Sequence, residues 1–396
     1  MDEIYGSFLR VLRAAIRGDK IRADESLRQQ FPKLYRLAAE HHILPLIADC
    51  LYDETQKGAA LYARQATVSQ ARRTADFLLL MQKFASHGLR PVIVKGIVCR
   101  SLYPEPEQRP SEDEDLLIRP ADYPAYKAIL EENGLHASGN EDDYEVSFAT
   151  EDRCLHLELH RSLFPPESDA YGDCARFFDG ALDRAVELRV MDVPLLTLAP
   201  TDHLLFLLCH AYKHFLHGGI GIRQLCDMAL MAERDDAQID WAQIRGSCEE
   251  LRIAFFAAAL FRIAERQLGF AMPEAFAELE VDESDLLDDM LSGGLYGGVD
   301  IDRAHSSTMT LEAVVAARSG RRRRGALHSL FLPLSSMRGH FPYLKKYPWL
   351  LPWAWLQRIW RYLRRKKNPS PVSPTRSIRI ARERIELLRE YHIVES

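Results

Sequence analysis

The stretch PVIVKGIVCRSLYPEPEQRPSEDEDLLI, residues 91–118, sets the expected fold. Residues 91–94 are apolar and β-branched after the first proline, which is typical of a short buried strand. Lys95 and Gly96 then open a turn into a short helix that ends near Tyr103. A proline-rich loop leads to residues 113–118, whose apolar end predicts a second strand.

The residues on either side of this stretch predict further helices and strands. A helix is predicted over 121–133, ending before Gly134, and two further strands over 144–149 and 154–160. Helices dominate before it, over residues 1–90, and return from residue 201 onward. The sequence therefore predicts an α+β fold in which helical layers surround a small mixed sheet.

We expect four parts along the chain. They are a helical region over 1–90, an α/β core over 91–198, a second helical domain over 199–317, and an extension over 318–396. The extension contains a basic, tryptophan-rich tract, a linker at 368–374 and a last amphipathic helix at 376–391.

Composition excludes several classes of protein. Apolar residues make up 47% of the 396 and charged residues 27%, which is the balance of a globular chain. The longest apolar run, about ten residues over 347–356, is interrupted by prolines, whereas a transmembrane helix needs roughly 20. The first residues lack the pattern of a secretory signal, and the seven scattered cysteines show no C-x-x-C spacing. We expect a cytoplasmic protein with reduced thiols.

The net charge of −6 conceals a strongly basic segment. Residues 318–367 contain fourteen Lys or Arg and no Asp or Glu, together with four of the five tryptophans. Three interpretations stay open: an extension packed on the protein itself, a surface for RNA, or a surface for an anionic membrane. The membrane interpretation is based on the apolar stripe of Trp353, Leu356, Trp360 and Leu363 among arginines.

Three carboxylates form the candidate catalytic group. Asp113 and Asp115 project from the same face of a strand because side chains alternate, and Glu158 lies on a strand that can pair alongside. Adjacent carboxylates repel each other, and bound divalent cations relieve that repulsion. Such a set can hold two Mg²⁺ ions about 4 Å apart for phosphoryl or nucleotidyl transfer. The Lys95-Gly96 turn offers backbone N–H groups and a positive charge for phosphates.

These motifs together resemble the uncharacterised bacterial nucleotidyltransferase family of the DNA polymerase β-like superfamily. The resemblance is carried by Val-Ile-Val-Lys95-Gly96, Arg109-Pro, Asp113-x-Asp115, Glu158-Leu-His160, His210-x-x-x-His214, and Arg223 followed by Asp227. It implies a nucleotidyltransferase fold and transfer of a nucleoside monophosphate from an NTP to a hydroxyl acceptor. The acceptor, whether small molecule, RNA or protein, and the oligomeric state stay open.

The resemblance also implies roles for individual residues. Asp113 and Asp115 take the place of the metal-binding pair, and Glu158 that of the third acid and general base, with two Mg²⁺ ions or alternatively Mn²⁺. Gly96 takes the place of the phosphate-loop glycine. The remaining nucleotide-binding candidates are Lys95, Arg109, His214, Arg223 and Asp227.

Alternatives remain for several of these candidates. Arg109 either contacts the triphosphate or covers a loop. His210 and His214, one helical turn apart, form a zinc site, a hydrogen-bonded pair between layers, or, for His214 with Arg223 oriented by Asp227, a wall of the nucleotide pocket.

Two residues depart from the superfamily pattern. Ile97 follows Gly96 where a serine is common, and Glu114 stands between the aspartates where an apolar residue is usual. We expect Glu114 to face solvent or to pair with a base such as Arg119 or Lys127. These departures support an alternative function, a catalytically idle fold that acts as a binding module on RNA or an anionic membrane.

Overall fold

The structure is a computed structural model that describes residues 3–52, 57–293, 301–319, 334, 337, 341, 343–365 and 374–394. It confirms the α+β class. Nine strands are present in this part of the chain: β1 (Ile21–Arg22), β2 (Leu51–Tyr52), β3 (Val92–Ile93), β4 (Glu114–Leu117), β5 (Leu135–Ser138), β6 (Glu145–Thr150), β7 (His156–His160), β8 (Val186–Val190) and β9 (Val193–Thr197).

A seven-stranded mixed sheet forms the centre, in the order β5-β6-β7-β4-β3-β9-β8. Strand β4 runs antiparallel to β3 and parallel to β7, and β3 runs parallel to β9. The register between β4 and β7 pairs Asp115 with Glu158. This register, rather than any local motif, brings the two acids together.

Helices lie on both sides of the sheet in sequence. Those before it are α1 (Glu3–Ala15), α2 (Glu25–Glu40), α3 (Leu44–Cys50) and α4 (Lys57–Ser86), and those within it are α5 (Ile97–Arg100) and α6 (Tyr123–Glu132). Those after it are α7 (Pro200–His217), α8 (Ile222–Arg234), α9 (Trp241–Glu250), α10 (Ala254–Ile263), α11 (Glu274–Ala277), α12 (Ser284–Gly293) and α13 (Ile301–Ser319). Three further helices are Tyr343–Lys346, Leu351–Arg365 and Pro374–Glu390.

Two hydrophobic cores cover the two faces of the sheet. The smaller packs α4 and α6 on the face that carries Ile93, Leu116 and Leu157. The larger packs α1–α3, α7, α8 and α10 on the face of Val92 and Leu117. Because alternation puts Asp115 on the same face as Leu117, the acid lies on the α7–α8 side, and Glu114 lies on the α4 side.

The predicted elements differ from the structure in a few places. β5, β8 and β9 are present where no strand was predicted. The division at residues 90, 198 and 317 stays a prediction, and most of the predicted linker lies outside the described residues. All seven cysteines are free thiols. No helix of the described residues is long and apolar enough to span a bilayer.

Candidate active site

A carboxylate–histidine group lies where β4 and β7 pair. Asp115, Glu158 and His160 each offer one ligand atom, and these atoms lie within 4.8 Å of one another. Asp115 and His160 are buried, while Glu158 is half-buried. Two carboxylate oxygens and an imidazole nitrogen at this spacing form a donor set that suits a divalent metal ion.

Positive groups surround Asp115. Lys95 Nζ lies 3.0 Å from Asp115 Oδ2, and His160 Nε2 lies 3.2 Å from Oδ1 and 3.6 Å from Glu158 Oε2. Burial by itself would raise the pKa of Asp115, but the Lys95 charge and the His160 hydrogen bond hold that pKa well below its usual range.

His160 responds in the opposite direction. Burial would lower its pKa, and the hydrogen bonds to Asp115 and Glu158 outweigh burial and raise the pKa to about 9. Asp115 Oδ2 is buried, and its contact among the described residues is the ionic one with Lys95 rather than a well-aligned hydrogen bond. A buried anionic oxygen with spare acceptor capacity is what a bound cation satisfies, so these residues fit a metal.

Asp113 lies apart from this group. It precedes β4 by one residue, is half-buried, and lines an open cleft next to it. The cleft is lined by Lys95, Gly96, Arg109, Ser111, Asp113, Leu207, His210, Arg223, Gln224 and Asp227. Most of the residues proposed for nucleotide binding therefore share one cleft, and Asp115 lies in the sheet beside it.

Glu114 pairs with a base, as one of the two expectations had it, but that base is Arg100, and the expectation that it faces solvent is wrong. Glu114 is 5% exposed and faces α4 and α5, where Oε2 accepts a 2.7 Å hydrogen bond from the Ile97 N–H and Oε1 lies 2.6 Å from Arg100 Nη1. Arg119 pairs instead with Asp183, and Lys127 with Glu141.

The sequence could not reveal this pairing because it depends on how α5 packs back on β4. Burial raises the pKa of Glu114 even though Arg100 and the Ile97 N–H oppose the rise. The N–H at the start of α5 is thus donated to a side chain within the protein, whereas the sequence analysis expected the N–H groups of this turn to bind phosphate.

Arg109 and Asp227 form a buried ion pair. Arg109 Nε donates to Asp227 Oδ1 over 2.8 Å, its Nη2 donates to Oδ2, and the Tyr103 hydroxyl donates to Oδ1 over 2.8 Å. The pair joins the loop before β4 to α8, and Arg109 is 2% exposed. Asp227 therefore orients Arg109 rather than Arg223, contrary to the sequence interpretation.

Arg223 and His210 line the α7–α8 side of the cleft, whereas His214 does not line it and contacts His210. Arg223 Nη1 donates to the Pro110 carbonyl over 2.6 Å. His210 Nε2 and His214 Nε2 lie 3.1 Å apart, which is the hydrogen-bonded pair among the predicted alternatives. Burial, followed by the Lys95 charge, lowers the pKa of both imidazoles well below the usual value, which keeps them neutral.

The sequence did not predict the hydrogen-bond network around Arg100, which supports the site. Arg100 is 1% exposed and bonds Ser111 Oγ and, over 3.5 Å, Thr74 Oγ1, besides its pair with Glu114. A lone arginine in a predicted short helix gives no signal of such a role. His160, by contrast, could be found from the strand alternation that puts it on the face of Glu158.

The class follows from the fold and the site together. Carboxylates on two paired strands, beside a Lys-Gly turn that begins a helix, are the arrangement expected of a nucleotidyltransferase. A family model described as "Uncharacterised nucleotidyltransferase" matches residues 28–269, and the chain belongs to that family. No significant match is found among curated proteins or among solved structures. The family resemblance is confirmed, while the bacterial origin stays a prediction.

Proposed function

We propose that this protein transfers a nucleoside monophosphate from an NTP to a hydroxyl acceptor, uses Mg²⁺ and releases pyrophosphate. The observation that carries the proposal is the direct pairing of Asp115 with Glu158 across β4 and β7, with Lys95 3.0 Å from Asp115. Family membership supports the same class of reaction.

Asp115 and Glu158 would hold the metal, with Asp113 at the neighbouring cleft as a further ligand, and the metal would supply neutralisation of the phosphate charge. The acceptor hydroxyl attacks the α-phosphorus, the bond to pyrophosphate breaks, and the hydroxyl proton passes to Glu158 as general base. Glu158 is half-buried, and its Oε2 lies 3.6 Å from His160 Nε2, which holds the carboxylate in place.

The nucleotide would lie in the cleft. Lys95, Gly96 and Arg223 line it, and the ammonium of Lys95 can exchange its contact with Asp115 for one with a phosphate. Arg109 is neutralised by Asp227 at the cleft wall, so its role there is to fix the loop before β4 against α8. His214 supports the wall through its bond to His210.

A comparison of transfer activity with Mg²⁺ and with Mn²⁺ can identify the metal. An oxygen-rich set of Asp113, Asp115 and Glu158 favours Mg²⁺, whereas inclusion of the His160 nitrogen favours Mn²⁺. We expect transfer with Mg²⁺ and a larger loss of Mn²⁺-supported than Mg²⁺-supported activity in His160→Gln. Equal losses with both ions would place His160 outside the metal shell.

The test is incubation of the full chain with each labelled NTP, Mg²⁺ and panels of tRNA, small hydroxylated metabolites and protein, followed by detection of labelled product. We expect Asp113→Asn to lower transfer by about 100-fold or more, since loss of a metal ligand costs several kcal/mol of transition-state stabilisation. Glu112→Gln, which removes an exposed neighbouring carboxylate, is the matched control and should retain activity.

An unchanged rate in Asp113→Asn would contradict the proposal. So would calorimetry in which Mg-NTP fails to bind the folded chain, a result that favours the idle binding module. Glu114 was one motive for that alternative, and it lies on the opposite face of β4 from Asp115, paired with Arg100, so it does not crowd the cleft.

A further inference from the structure

The helix Leu351–Arg365 exposes a row of large apolar side chains. Trp353, Leu356 and Trp360 are 55%, 58% and 54% exposed, and their spacing of three and four residues puts them on one helical face. Trp349, four residues before Trp353 in the preceding turn, is 71% exposed. Single exposed apolar residues are ordinary on protein surfaces, but an ordered row of this size indicates an interaction site.

Another side of the helix packs on the segment that precedes it in the chain. Ala354 is buried in a small cluster with Met337, Phe341 and Leu344, and Trp355 packs against that cluster. Tyr343 donates a 3.1 Å hydrogen bond to Gln357. The helix therefore already has a packed side, and the exposed row lies outside it.

The segment of sequence that contains this row carries only positive charge. Residues 318–367 carry fourteen basic and no acidic side chains. Within the described part, Lys346 is exposed and Arg358 lies on the helix itself, half-exposed. A row of tryptophan and leucine flanked by Lys and Arg is complementary to the anionic headgroups and acyl boundary of a bilayer.

We propose that the helix Leu351–Arg365 docks on an anionic membrane surface. The helix lies in the plane of the interface, with Trp353, Leu356 and Trp360 at the acyl boundary and the basic side chains near lipid phosphates. The indole ring suits this depth because it has an apolar body and a polar N–H.

Two other occupants fit the row less well. RNA would satisfy the arginines and stack on tryptophan, but it offers no partner for Leu356 in the middle of the row. A second copy of the helix would bring two segments of the same charge together without an acid on either. The docking surface uses none of the residues proposed for the transfer reaction. A negative result for one proposal therefore does not affect the other.

The test is co-sedimentation of the full chain with vesicles of phosphatidylcholine alone and with about one third phosphatidylglycerol. We expect binding to the anionic vesicles at least about tenfold tighter than to the neutral ones, and weaker binding at high salt. Brominated lipid should quench tryptophan fluorescence on binding, since four of the five tryptophans lie in this segment.

The decisive variant replaces Trp353, Leu356 and Trp360 together by serine. All three are more than half exposed, so the fold should be retained while vesicle affinity falls about tenfold or more. The matched control replaces Leu61, Tyr62 and Leu79, three equally exposed apolar residues of α4, by serine and should bind normally.

Three results would overturn the proposal. They are no binding of the wild type to anionic vesicles, equal binding by the triple variant and the wild type, and a dimer in ultracentrifugation that the triple variant converts to monomer. Salt-sensitive binding to single-stranded RNA without binding to vesicles would assign the segment to nucleic acid instead.

Discussion

At the scale of single residues, Gly96 and Glu114 depend on each other. Gly96 has a φ of +54°, and a Cβ there would lie 1.8 Å from Glu114 Oε2. The absence of a side chain at residue 96 is what lets the Glu114 carboxylate reach the Ile97 N–H. The apparent departure from the superfamily at residue 114 is thus part of the support for the turn.

Gly96→Ala should destabilise the protein more than a positive φ alone explains. A positive φ costs roughly 1–2 kcal/mol for alanine, and displacement of Glu114 from buried Arg100 adds about 3–5 kcal/mol. Urea unfolding measures the loss. Gly88→Ala is the matched control, because Gly88 also has a positive φ but no atom within 4 Å of its Cβ position. Equal losses in the two variants would refute the role of Glu114.

At the scale of elements, the sequence was informative where side chains alternate. The predicted strands correspond to β4 and β7, and their alternation correctly put Glu158 and His160 on one face. β8 and β9 could not be predicted in this way, because β8 is mostly exposed and β9 contains Pro194.

The ion pairs also divide into contacts that the sequence predicted and contacts that it did not. Which acid pairs with Glu158 depends on β4 and β7 being neighbours, and the sequence analysis expected that these two strands can pair. The partners of Arg109 and Glu114 depend on the packing of α8 and α5 against the loop and strand, and residue spacing carries no information about such contacts.

The Arg109–Asp227 pair should contribute strongly to stability because it is buried. Asp227→Ala leaves the Arg109 guanidinium buried and unpaired, so the free energy of unfolding should fall by about 3–5 kcal/mol. The exposed pair of Arg119 and Asp183 is the control, and Asp183→Ala should cost less than about 1 kcal/mol. Chemical unfolding of both variants measures the difference, and similar small losses would contradict the prediction.

At the scale of the whole molecule, buried neutral histidines connect the sheet to the helices. His203 on α7 donates from Nε2 to the Val94 carbonyl over 2.7 Å, next to β3. Burial lowers its pKa to about 4; the Val94 bond opposes the fall and the Arg234 charge adds to it. His41 near Leu291 has its pKa lowered to about 4 by burial as well.

Acidification should therefore weaken the fold. Between pH 6.5 and pH 4 the unfolded chain binds protons at His203 that the folded chain does not, so stability falls as the pH falls. From pH 7 to pH 5 this one histidine should cost about 2 kcal/mol. Urea unfolding at both pH values should show a smaller loss in His203→Gln than in the wild type. An identical pH dependence would contradict this assignment.

The larger core also determines when its parts can pack together during synthesis. It unites Phe8 of α1 with Leu388 of the helix Pro374–Glu390, and both are almost fully buried. At about 5–20 residues per second, a ribosome adds Leu388 roughly 20–80 s after Phe8. For that interval the larger core lacks the helix Pro374–Glu390, so the nascent chain should be a client of ribosome-associated chaperones. Proteolysis of chains stalled at residue 360 should cleave α10, whose Phe256 lies against Tyr391, faster than in the released protein.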